Sequence, residues 1–128
     1  MEKKVIKSSK APKALGPYSV ANRAGNFIFC AGQLGLDPDT GNLVSGGVEA
    51  ETNQALMNLT NVLEEAGSSM EKVVKTTVFL RDMDDFSKMN AVYAQYFAAD
   101  FPARSTVQVA ALPKNAAVEI ELIAVVSE

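Results

Sequence analysis

The chain has 128 residues, 48% of them hydrophobic, and carries 12 Lys and Arg against 15 Asp and Glu for a net charge of −3. That length fits one compact domain over residues 1–128, and the acidic balance argues against nucleic acid as a main partner, since phosphate binding relies on clustered Lys and Arg. A lone cysteine excludes an internal disulfide, and the absence of histidine argues against zinc and leaves acid–base chemistry to a carboxylate, lysine, tyrosine, cysteine or water.

The N-terminus, MEKKVIKSSKAPK, has no long apolar stretch after its positive charges and does not read as a secretory signal. No window approaches the roughly 18 apolar residues of a membrane span. A cytoplasmic protein with no membrane partner is therefore expected.

Residues 2–8 predict a short first strand, and the Pro- and Gly-containing stretch 11–17 a loop. Two strands follow at 18–24 and 26–31, with Ala24-Gly25-Asn26 as the hairpin turn. Phe27-Ile28-Phe29-Cys30 is apolar at every position, which suggests burial on both faces. DPDTGN at 37–42 reads as a turn. It fails as a calcium loop because Pro38 interrupts it and Val48 stands where the closing glutamate belongs.

Ala55, Leu56, Leu59, Val62, Leu63 and Ala66 recur at three- and four-residue spacing, predicting a helix over 48–66 that Gly67 stops. Asn58-Leu59-Thr60 matches the N-glycosylation tripeptide but falls inside this pattern and is read as chance. The β-branched run 73–80 predicts a strand. A second helix is expected with Asp84 or Asp85 as cap and Phe86, Met89, Tyr93, Tyr96 and Phe97 as its apolar stripe, until Pro102 breaks the pattern. Strands at 104–111 and 117–126, joined at Pro113-Lys114-Asn115, complete the order β-β-β-α-β-α-β-β. This is an α+β domain: a six-stranded sheet with two helices packed on one face.

The last two strands carry the chemistry. Alternation places Arg104, Thr106 and Gln108 on one face of the first and Glu119, Glu121, Ile123 and Val125 on one face of the second. The opposite sets, Ser105, Val107 and Val109 with Val118, Ile120, Leu122 and Ala124, are expected against the helices. Arg104 and Glu119 are then expected on the far face, which is too apolar to be plain solvent surface and calls for a second subunit. There a guanidinium can grip a carboxylate bidentately; alternatively, Arg104 forms an ion pair with a glutamate across strands or subunits. Cys30 follows three apolar residues and has no activating base nearby, so it is read as core.

PARSTVQVAAL at 102–112 is followed, after five residues, by VEI at 118–120. Together with APKALGPYSVA at 11–21 and AGQLGLDPDTGNLV at 31–44, these segments resemble the Rid family of reactive intermediate deaminases, also called the YjgF family. The resemblance implies a chorismate-mutase-like fold, a homotrimer whose sheets line a central barrel, and active sites between subunits. It also implies hydrolysis of 2-imino acids, such as 2-iminopropanoate and 2-iminobutanoate, to 2-keto acids and ammonia, without a metal or cofactor. On it, Arg104 matches the carboxylate-binding arginine, Glu119 the glutamate that orients or deprotonates water, Tyr18 a pocket tyrosine and Asn90 an asparagine near the site.

Two positions depart from the pattern. Ala31 stands where many relatives carry a pocket serine, and Thr106 where some carry a cysteine, with its neighbouring backbone a possible substrate contact. Family members have also been described as endoribonucleases or translation inhibitors, and a non-catalytic carboxylate-binding module is a further alternative.

Overall fold

The computed structural model of the chain describes residues 1–126. Its elements are β1 (Lys3–Ile6), β2 (Ala21–Ala24), β3 (Phe27–Leu34), α1 (Gly47–Glu65), β4 (Val73–Leu80), α2 (Phe86–Tyr93), β5 (Ala103–Gln108) and β6 (Val118–Val125). Alternation in β6 organises the core. Val118, Ile120, Leu122 and Ala124 are buried, while Glu119, Ile123 and Val125 between them are only partly covered. The strand lies at the centre of a six-stranded sheet of order β1-β2-β3-β6-β4-β5. Its two neighbours, β3 and β4, are antiparallel to it, whereas β5 runs parallel to β4. A parallel pair needs a crossover, and α2 supplies it. Helix α1 packs on β3, β6 and α2, so the expected α+β architecture is the one observed.

Helix α1 lies within a residue of its predicted span. Gly46 and Gly47 enter it with φ of 119° and 75°, and Gly67 leaves it at φ 84°, a region that costs glycine little. The second helix differs from expectation. Asp82, rather than Asp84 or Asp85, accepts a hydrogen bond from the Asp84 N–H (2.9 Å) and starts a short 3-10 turn over Met83–Asp85 that leads into α2. The helix itself ends at Tyr93. Tyr96 closes a second 3-10 turn, and Phe97 is already extended.

Strand ends differ too. The first strand is shorter than residues 2–8, and the second begins at Ala21 rather than at residue 18, because Tyr18 belongs to a tight turn in which its N–H donates to the Gly16 carbonyl (2.8 Å). β3 continues past residue 31 to Leu34 through a bulge between Cys30 and Gln33, and β5 stops at Gln108. Cys30 is buried, and burial pushes its thiol up to about 12, so it is an inert core residue.

Buried polar groups fix α1 to the sheet. Asn58 is fully buried and its amide donates to the carbonyls of Leu34 (3.3 Å) and Leu36 (3.0 Å), a placement that denies the tripeptide there a role as glycan acceptor in the folded chain. Glu51 accepts a hydrogen bond from the Ala117 N–H (2.8 Å), just before β6 begins. The 37–42 segment is the expected turn: the Asp37 carboxylate accepts from the Asp39 N–H (2.8 Å) and Gly41 takes φ 75°.

The helix-free face of the sheet carries an apolar patch beside Glu119 and Glu121. Phe27 and Phe29 are each 45% exposed and Val107 is 43% exposed. Ile123 and Phe79, which share this face by register, are partly covered.

Candidate functional site

Arg104 lies on edge strand β5 opposite Thr76 of β4. Thr76 is fully buried and pairs its hydroxyl with that of Tyr93 on α2 (2.8 Å), so this position faces the helices. Arg104 therefore turns toward α2, not toward the helix-free face. The expected alternation of β5 is present but its two faces are exchanged: Arg104 and Thr106 point to the helix side, and Ser105 and Val107 away from it. The parallel register with β4 decides this, because each β5 residue must share the face of its partner.

The guanidinium is held without an acid. Its Nη1 donates to Asn90 Oδ1 (2.7 Å), and its Cζ lies 4.8 Å from the ring centre of Tyr93 and 5.5 Å from that of Phe86. Among the described residues of the chain no carboxylate is hydrogen-bonded to it, so no ion pair forms across the strands of one sheet. It lines a concavity of about 440 Å³ with Asn90, Tyr93, Ala94, Phe101 and Pro102. Phe101, 60% exposed, forms an apolar lip. Thr106 follows on the same strand face, and its buried hydroxyl has no hydrogen-bond partner. A planar cation with unused N–H donors in a partly apolar hollow is suited to a carboxylate.

Glu119 is elsewhere. It pairs across the sheet with Phe79 and Leu34 and points to the helix-free face. It lines a second concavity, about 500 Å³, with Leu15, Gly16, Tyr18, Ala31, Gly32, Leu34 and Pro113. Burial, and to a lesser extent the like charge of Glu121, raise its carboxyl above the ordinary glutamate range. Gly32, in the β3 bulge, makes room for it: a Cβ there would stand 2.8 Å from the Glu119 carboxyl carbon. Tyr18 hangs over this hollow from the turn, where its hydroxyl accepts from the Leu15 N–H (3.1 Å) and keeps its own proton to donate.

The site residues proposed from sequence thus fall into two groups. Arg104, Asn90 and Thr106 lie on the helix side at the β5 edge, and Glu119, Tyr18 and Ala31 on the other side. One chain does not bring the arginine and the glutamate into a common cleft. The aromatic partners of Arg104 went unnoticed as site residues because Phe86 and Tyr93 read as core stripe; the spacing Phe86, Asn90, Tyr93 along one helix face was the available signal. Gly32 left no signal beyond its neighbourhood. Among the described residues there is no gathering of three or more His, Cys, Asp or Glu for a metal ion, and no helix is long and apolar enough to cross a membrane.

Solved structures that match the whole chain, that of a Thermotoga maritima protein (48% identical, TM-score 0.94) among them, share this arrangement of sheet and helices, the L-PSP/YjgF fold. The family model described as Endoribonuclease L-PSP matches residues 8–126. The chain is 50% identical over 123 residues to the human 2-iminobutanoate/2-iminopropanoate deaminase, covering 96% of this chain and 90% of that protein. Among solved structures, the Rid-family protein YyfA from Yersinia pestis is 48% identical with a TM-score of 0.94, covering 98% of this chain and all of that one. TdcF from E. coli with bound serine is 39% identical with a TM-score of 0.92, covering 97% and 99%. The chain belongs to the Rid family.

Proposed function

We propose that the protein hydrolyses 2-imino acids, with 2-iminopropanoate and 2-iminobutanoate as the type substrates, to 2-keto acids and ammonia. The observation that carries this reading is an arginine with free N–H donors in one hollow and a glutamate of raised pKa in another. The two lie on opposite faces of one sheet, so they form one site only at a seam between two copies. Arg104 of one subunit would bind the carboxylate, with Asn90 and Thr106 beside it. Glu119, Tyr18 and the Ala31 wall would come from the next subunit. The apolar patch of the helix-free face, with Phe27, Phe29 and Val107 uncovered, is the surface such an assembly would bury, and a closed trimer suits it. The human relative's name gives the same reaction.

The chemistry asks little of the protein. A protonated imine is already electrophilic at C2, so fixing the carboxylate and placing one water suffice. Water adds to C2 while Glu119 takes its proton, the C2 nitrogen leaves as ammonia after protonation, and the carbonyl forms. A raised Glu119 pKa makes its carboxylate a better base.

The wild-type test generates the imine in situ with an amino-acid oxidase and follows keto acid release. Acceleration over the spontaneous rate is expected, and its absence would overturn the reading. The endoribonuclease reading attached to the family model predicts instead RNA cleavage that survives loss of Glu119.

The pH profile has a definite sign. A base works ionised, so kcat/KM falls as pH drops through the Glu119 pKa, at a higher pH than an ordinary glutamate would give. Glu121→Gln removes a like charge, lowers that pKa and moves the acid limb to lower pH. An unmoved limb in that variant would show that another group titrates there.

A further inference from the structure

Arg104 sits on a long flexible stem, and a side chain that must be ordered on binding weakens the complex. Here it is ordered beforehand. Asn90 holds Nη1 at 2.7 Å and the Tyr93 ring lies under Cζ at 4.8 Å. Tyr93 is in turn held from several sides. It is 4% exposed, its ring packs 4.8 Å from that of Phe97, and its hydroxyl is tied to Thr76 Oγ1 at 2.8 Å. Thr76 is the residue directly opposite Arg104 in the β4–β5 register. The strand position that faces the arginine thus fixes the ring that carries the arginine's head, closing a small loop from sheet to helix and back.

We propose that Tyr93, locked by Thr76, is the positioning residue for Arg104, setting the reach of its guanidinium so that the site selects ligands with a planar carboxylate. This rests on the reading of Arg104 as carboxylate anchor. A ring face attracts a cation without consuming its N–H groups. Of the five guanidinium donors, Asn90 takes one, and among the described residues the other four have no hydrogen-bond partner. Burial raises the Tyr93 pKa despite its hydroxyl partner and the nearby arginine, so the ring stays neutral and the lock stays closed through the neutral range.

The test uses arginine side-chain NMR, which is tractable because the chain has only three arginines, Arg23, Arg81 and Arg104. Arg104→Lys assigns the signal. In the ligand-free protein the Arg104 Nε–H is expected to be rigid, and 2-oxobutanoate is expected to shift it. Tyr93→Phe keeps the ring and loses the lock. It should raise the Kd for 2-oxobutanoate and the KM for the imine together by about 3- to 10-fold, with kcat changed far less. Thr76→Val should reproduce this, and the double variant should add nothing further. Tyr93→Leu removes the ring and should leave the Arg104 signal mobile.

An Arg104 signal as rigid, and a Kd as low, in Tyr93→Phe and Thr76→Val as in wild type would overturn the proposal even if Tyr93→Leu fails to fold. Failure of the anchor reading looks different: 2-oxobutanoate would then bind equally well to Arg104→Lys and leave the Arg104 signal of wild type unmoved.

Discussion

Replacing Glu119 by glutamine is expected to slow imine hydrolysis by about 10²- to 10⁴-fold while leaving 2-keto acid binding within a few-fold of wild type. The separation follows from placement. Glu119 points to the helix-free face among Gly16, Tyr18, Ala31 and Gly32, whereas Arg104, the proposed carboxylate anchor, is on the other side of the sheet with Asn90 and Tyr93. Glutamine fills the same volume against Gly32 but takes no proton from water. Single-turnover keto acid release and equilibrium titration of a keto acid measure the two effects independently. A rate within threefold of wild type would remove Glu119 from the chemistry, and lost binding with it would assign the residue to ligand affinity.

Gly35→Ala is expected to cost more stability than any other alanine substitution at a glycine of the chain. A Cβ there would stand 2.5 Å from the Glu51 Cα and 2.6 Å from its carbonyl oxygen. Those are backbone atoms of α1, with no flexible side chain to move aside, so the helix and the bend that follows β3 must separate. The same glutamate holds the Ala117 N–H through its side chain, so the displacement reaches the start of β6, two residues before Glu119. Forced overpacking costs about 1–3 kcal/mol, occasionally more, and a clash with backbone puts this site at the upper end. Gly41 provides the contrast. Nothing lies within 4 Å of its Cβ position, and only its φ of 75° opposes a side chain, at about 1–2 kcal/mol. Urea unfolding at fixed pH gives both values from shifts in midpoint at unchanged slope. Equal losses at the two glycines would contradict the close packing of α1 on β3.

Much of the fold was legible because its signals are local. Three- and four-residue spacing marked α1 almost to its ends, and two-residue alternation marked the buried face of β6. The face taken by Arg104 was not legible. Alternation within β5 says which residues share a face but not which face meets the helices, and an edge strand with few large apolar residues gives little bias. The parallel register against Thr76 settles it, and register is a property of two strands. Tyr18 was misplaced for a related reason: its β propensity suits a strand, but a turn closed by its own N–H and hydroxyl overrides that preference. Arg104 and Glu119 themselves stood out in the sequence as charge within apolar strands. That the two charges occupy separate hollows needed coordinates, since the face each takes is set by its strand's register against β4.

Mixing two inactive variants tests the central claim most directly. Arg104→Ala keeps a working Glu119, and Glu119→Gln keeps a working Arg104. If each site takes its arginine from one copy and its glutamate from another, unfolding and refolding equal amounts together should restore activity at about one quarter of the wild-type sites by random assembly. Each variant refolded alone should remain inactive. No recovery in the mixture, with mixed oligomers verified by mass, would contradict a site shared between subunits.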